Sequence, residues 1–81
     1  MDTSAEPPDL RALLAHERPL RALCRALVQS ASDGDDLAQE TWLAALRRPP
    51  ERAPRAWLRR VARNLAARHE RSAARRARRE A

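Results

Sequence analysis

Apolar residues recur along this chain at helical spacing. Leu10, Leu13 and Leu14, and then Leu20, Leu23, Cys24, Leu27 and Val28, follow one helical phase, with Leu13, Leu20 and Leu27 seven apart. Pro19 does not shift that phase. Proline inside a helix removes one backbone hydrogen bond and clashes with the preceding turn, so the pattern predicts either a kink or two helices meeting near residues 16–18, with Asp9 capping a start at Leu10. Residues 30–34, SASDG, break the pattern with the only glycine of the chain. A new helical run follows at 33–46, DGDDLAQETWLAAL. Ser32 or Asp33 can cap it, and Asp35 and Asp36 put negative charge in the first turn, against the positive end of the helix dipole. Positions three and four apart share a face, so Asp36, Gln39, Glu40 and Leu43 fall on one side and Ala38, Trp42, Ala45 and Leu46 on another. The first side is acidic and polar, whereas the second packs.

Residues 47–54, RRPPERAP, hold three prolines and cannot be helix throughout, but Pro54 suits the first turn of a further helix. Its core stripe reads Leu58, Val61, Ala62 and Leu65, extending to His69. Arg60, Asn64, Arg71 and Arg78, with Arg63 and Arg75 beside them, fall on the opposite side, and Trp57 sits at the border. Beyond Arg71 the alanines and arginines keep helix propensity without an apolar stripe, which predicts a frayed helix in isolation. Residues 1–8 are polar, end in Pro7-Pro8 and read as a disordered leader. Residues 9–81 then form one all-α unit, a compact bundle of three to four helices with a long basic C-terminal helix.

Length and charge sharpen this picture. A chain of 81 residues makes one domain at most and buries a modest fraction of its surface. The net charge of +6 is unevenly spread: residues 1–54 hold 7 Arg and 9 acids, whereas residues 55–81 hold 10 Arg and 2 acids. Such asymmetry argues for two different partner surfaces, the second meeting a polyanion, with nucleic acid the first candidate. The single Cys24 has no partner for an internal disulfide and no metal-ligand spacing, as expected of a small buried apolar residue in a reducing cytosol. No apolar run approaches the roughly 20 residues of a membrane span, and the N-terminus lacks the features of a signal peptide, so a cytoplasmic protein is expected. No enzyme is indicated: there is no nucleophile and base set at useful spacing, no glycine-rich phosphate loop, and His16 and His69 stand alone. No cofactor or metal is expected.

Two segments carry the candidate chemistry. On the last helix Arg60, Arg63 and Arg71 can neutralise phosphates, Asn64 can pair bidentately with an adenine edge, and Trp57 can stack on or wedge against a base, a set that suits partly opened DNA. A charge run is more often a solvated face, so this set alone does not decide the matter. On the acidic helix Asp36, Gln39 and Glu40 place acceptors at one-turn spacing, suited to arginines of a partner helix, with Leu43 alongside. Asp33 and Asp35 read as capping and dipole residues.

These segments together resemble region 2 of bacterial RNA polymerase sigma factors, most closely the extracytoplasmic-function group. That group carries D-A-E-D-L-V-Q-E-T-F-L, a variable loop, then A-W-L-Y-R-I-A-R-N-L-A and a basic tail. The matching positions are Asp33, Asp36, Leu37, Gln39, Glu40, Thr41, Trp42 and Leu43, then Ala56, Trp57, Leu58, Arg60, Ala62, Arg63, Asn64, Leu65 and Ala66. Two linked motifs in order are far more specific than either alone, and the resemblance spans roughly residues 10–79. It implies docking on the clamp coiled coil of the polymerase β′ subunit through Asp36, Gln39, Glu40 and Leu43. It also implies recognition and melting of the promoter −10 element, with a flipped non-template base held partly by the 48–54 loop. An anti-sigma factor is a further implied partner. Gly34 replaces a usual alanine and Ala38 a larger aliphatic, which should loosen packing; Arg59 replaces an aromatic, and Arg68 stands near a usual acid. The chain ends at Ala81, before the helix-turn-helix domain that reads the −35 element in the family, so a fragment, a truncated product or an isolated domain is expected. The alternatives are a stand-alone polymerase- or nucleic-acid-binding interaction module without initiation activity, and a generic Arg-rich nucleic-acid binder.

Overall fold

The computed structural model describes residues 9–80, so the leader expected at residues 1–8 lies outside the described residues. Four helices follow one another: α1 (Asp9–Leu14), α2 (Glu17–Leu27), α3 (Ala31–Arg47) and α4 (Pro54–Glu80). Among the described residues there is no strand, and α2, α3 and α4 pack pairwise on one another. The all-α bundle expected from the apolar spacing is therefore what forms. Of the two outcomes Pro19 allowed, the chain takes two helices. The His16 amide closes α1 on the Leu13 carbonyl at 2.9 Å, and Pro19 becomes the third residue of α2, where the missing N–H has no intrahelical partner to lose. Asp9 lies within the first turn, one residue ahead of the expected start.

The start of α3 differs from the sequence reading. Neither Ser32 nor Asp33 caps it: Ser30 does, its hydroxyl accepting the Asp33 N–H at 3.0 Å, so the helix begins three residues before Gly34. Gly34 is consequently inside the helix and buried. A Cβ built there would lie 2.8 Å from both Cα and Cγ of Arg25, so glycine permits close approach of α2 and α3 instead of loosening their packing. Gly34→Ala is expected to destabilise the domain by about 1–2 kcal/mol, because overpacking against backbone of ~1–3 kcal/mol exceeds the helix-propensity gain of at most ~1 kcal/mol. A urea midpoint that stays put or rises in this variant would contradict the close approach.

The core is built from leucines and small residues. Leu13, Leu20, Cys24, Leu37, Ala38, Ala45, Leu58 and Ala62 are buried, together with Thr41, whose hydroxyl donates to the Leu37 carbonyl at 2.8 Å and so leaves no orphaned polar group. Ala38 and Ala62 are fully enclosed, so small side chains let α3 and α4 approach closely rather than leaving Ala38 loose. Leu46, expected on the packing side, is 62% exposed. The buried stripe of α3 steps through 34, 37, 38, 41 and 45, and Leu46 lies about 120° off that line. Trp42 packs half-buried against the core, and its Nε1–H donates to Glu17 Oε1 at 2.7 Å.

A polar strap joins α2 to α3. Glu17 Oε2 receives Arg21 at 2.7 Å, while Asp35 Oδ1 receives Arg21 at 2.9 Å and Arg25 at 3.2 Å. Asp35 therefore bridges helices rather than complementing the dipole of its own, and Arg21 beside it holds its carboxyl below the usual range. Hydrogen bonding to Glu17 in turn raises the Arg21 guanidinium.

Before α4 the chain turns sharply. Ala53 adopts φ 45°, a left-handed conformation that costs a non-glycine residue about 1 kcal/mol or more. Its carbonyl then accepts the Trp57 amide at 3.0 Å, and Pro54 opens the helix as expected. The helix continues unbroken to Glu80, where the sequence predicted a frayed tail. Its 27 residues give a rod of about 40 Å. The molecule measures 61 × 20 × 18 Å.

Candidate functional site

Two exposed faces flank the core. On α3, Asp36, Gln39 and Leu43 point outward, with Leu43 45% exposed, and Leu46 continues the line. The spacing of 36, 39, 43 and 46 is that of a coiled-coil seam, about 15 Å long. Two acceptors and two leucines along one seam suit a partner helix that brings arginines and apolar knobs. Glu40 is only partly on this face. Its Oε1 lies 2.8 Å from Nε2 of His69, with both side chains about half exposed. His69, read as an extension of the core stripe, is instead an interhelical tie at the surface. Asp36 also borders a hollow of about 240 Å³ shared with Asp33, His69 and Arg76.

The second face lies at the start of α4. Arg60, Arg63 and Asn64 together line an open groove of about 760 Å³, which His16 and Ala53 line as well. Arg55 and Arg59 line it too, so four arginines and no carboxylate face the opening. Such a groove concentrates positive potential and draws in phosphates. Sequence reading missed Arg55, Arg59 and His16. The i, i+4, i+8 run of Arg55, Arg59 and Arg63 was a usable signal for the arginines, whereas His16 arrives from the turn between α1 and α2 and had none. Arg59 is half-buried and also covers a small hollow against Pro19, Leu20 and Leu58, which explains how an arginine is accommodated where the resemblance leads one to expect an aromatic. Trp57 is not a wall of the groove; it is half-buried against the core, at the border position its spacing implied. Arg71 is exposed, about 10 Å further along the helix than Asn64.

The two sets of side chains are not buried against each other, and they stand on helices that pack together as one body. The arrangement can hold a helical protein surface on α3 and a polyanion on α4 at the same time. Among the described residues no cluster of His, Cys, Asp or Glu could hold a metal ion, and no helix is long and apolar enough to cross a membrane. Comparison with family models finds a match over residues 13–76 to the family described as Sigma-70 region 2. Comparison with curated proteins and with solved structures found no match.

Proposed function

Because the chain belongs to the sigma-70 region 2 family, whose role is RNA polymerase binding and promoter melting in transcription initiation, we propose that it acts as such a domain of the extracytoplasmic-function group. In this reading the seam of Asp36, Gln39 and Leu43, with Glu40 at its edge, docks on the β′ clamp coiled coil. Acceptors on α3 receive arginines of the clamp helices, and Leu43 fills a hole between them. Arg60, Arg63 and Arg71 take phosphates of the non-template strand of the −10 element. Asn64 reads a base edge in the groove, while Trp57 offers the exposed part of its indole at the rim. The turn at Ala53 and Pro54 lines the groove and contributes to which unstacked base is accepted.

The observation that carries this reading is the grouping of Arg60, Arg63 and Asn64 in one acid-free groove on the body whose other exposed face is the α3 seam. Asn64→Ala should weaken binding of single-stranded −10 DNA, to the chain assembled with polymerase core, by at least fivefold, the equivalent of about 1 kcal/mol for a bidentate base contact. A scrambled strand should lose less. Equal losses on both strands in an anisotropy titration would favour the generic binder.

A further inference from the structure

We propose that His16 is a strand contact of the groove: its imidazolium donates to a phosphate oxygen, so that a proton from solvent is taken up when single-stranded DNA binds. This deepens the reading of the groove as the strand site and rests on it. His16 is the one lining residue that does not belong to residues 53–64; it reaches the groove from the turn between α1 and α2. The same residue borders the small hollow with Pro19, Leu20, Arg55, Leu58 and Arg59, and so stands half-buried between the start of α2 and the start of α4.

The fold uses His16 through its backbone. Its amide donates to the Leu13 carbonyl and its carbonyl accepts the Leu20 amide, each at 2.9 Å. The side chain makes no cap bond at the head of α2, and among the described residues it enters none of the ion pairs. The imidazole is therefore available to whatever fills the groove. The charged groups around it are Arg55, Arg59, Arg60 and Arg63 on α4, with Glu17 and Arg18 next to it in the chain; Glu17 is already held by Arg21 and by the Trp42 indole. The other histidine, His69, bonds Glu40 and lines neither hollow. Guanidinium groups stay charged at any working pH, so His16 is the one group lining the groove whose charge changes near neutrality. A phosphate bound there favours the protonated ring, both by attraction and by accepting its N–H. Linkage then fixes the sign. Affinity is at full strength below about pH 6, declines as pH rises through the range in which an imidazole beside phosphate loses its proton, and levels off once the ring is neutral in both states.

The test is a set of anisotropy titrations of single-stranded −10 DNA with polymerase core carrying the parent chain, His16→Gln or His16→Arg. Titrating groups of the polymerase are common to all three and cancel in the comparison. Between about pH 5.5 and about pH 8 the parent should lose about fivefold in affinity beyond any loss shown by His16→Gln. At the acid end its slope of log K against log salt should be steeper than that of His16→Gln by about 0.7, the share of one phosphate contact on a single strand. His16→Arg, charged throughout, should restore at the alkaline end the affinity that His16→Gln lacks. Both variants keep the backbone bonds of the turn, and circular dichroism confirms that they are folded. Parallel pH profiles for the parent and His16→Gln overturn the inference, as does His16→Arg binding no better than His16→Gln at the alkaline end. The base readout is checked apart from this, at one pH, by the strand preference of Asn64→Ala. Equal losses there beside a preserved pH difference would overturn the readout and leave the His16 phosphate contact standing.

Discussion

Leu58→Ala is expected to lower the unfolding free energy by about 3 kcal/mol, within the usual range of ~2–5 kcal/mol for a fully buried leucine truncated to alanine. Leu58 is 1% exposed and heads the largest fully buried side chains; the others are Thr41 and Cys24. Its neighbours in the core include Ala38, Ala45 and Ala62, whose short side chains cannot swing into the vacated volume. A domain of this length has a total stability of about 4–12 kcal/mol, so the loss removes a large fraction of it. Urea unfolding followed by the fluorescence of Trp42 and Trp57, both packed against this core, reads the change directly. Leu46→Ala is the internal contrast: its 62% exposure keeps the expected change within about 0.5 kcal/mol. A Leu58→Ala midpoint no lower than that of Leu46→Ala would show that the core is not centred on the α2–α3–α4 contact.

Glu40→Arg should weaken association with the β′ clamp helices at least tenfold. Reversing a charge at a complementary interface replaces attraction by like-charge repulsion, an effect of several kcal/mol when the partner is arginine. The fold should survive the change. The Glu40–His69 pair is about half exposed on both sides, and such surface pairs contribute about 0–1 kcal/mol. Unfolding and binding are therefore separable: the urea midpoint stays near the parent value while the pull-down titration shifts. An unchanged clamp affinity would discard Glu40 from the docking surface and leave it as a tie between α3 and α4.

The elements legible in the sequence were those written in local spacing. Leucines at heptad intervals gave the helical phase of α1 and α2, Pro19 left a kink or two helices meeting near residues 16–18, of which the second forms with its gap at 15–16, and three prolines gave the α3–α4 turn. The stripe of Leu58, Ala62 and Leu65 fixed which side of α4 faces inward, and thereby which side carries Arg60 and Asn64 outward. What local spacing does not encode is contact between distant residues. Ser30, Ser32 and Asp33 are all competent caps, and the choice of Ser30 places Gly34 against Arg25, a neighbour known only once α2 and α3 are packed. Asp35 looks like a dipole residue until Arg21 and Arg25 arrive from α2. His69 shares the phase of the core stripe, yet at its height on α4 the opposing residue is Glu40, so a polar pair forms at the surface. The groove was half legible for the same reason: Arg60, Arg63 and Asn64 follow from one helix, whereas His16 comes from the turn between two others.

Cys24 is completely enclosed, and burial pushes its thiol up from the ordinary value, so little of the reactive thiolate forms while the domain is folded. It is the only sulfhydryl in these 81 residues. Oxidants and electrophiles in solution therefore reach this thiol only when the packing of α2 against α3 and α4 opens, so alkylation of Cys24 reads out opening of the core.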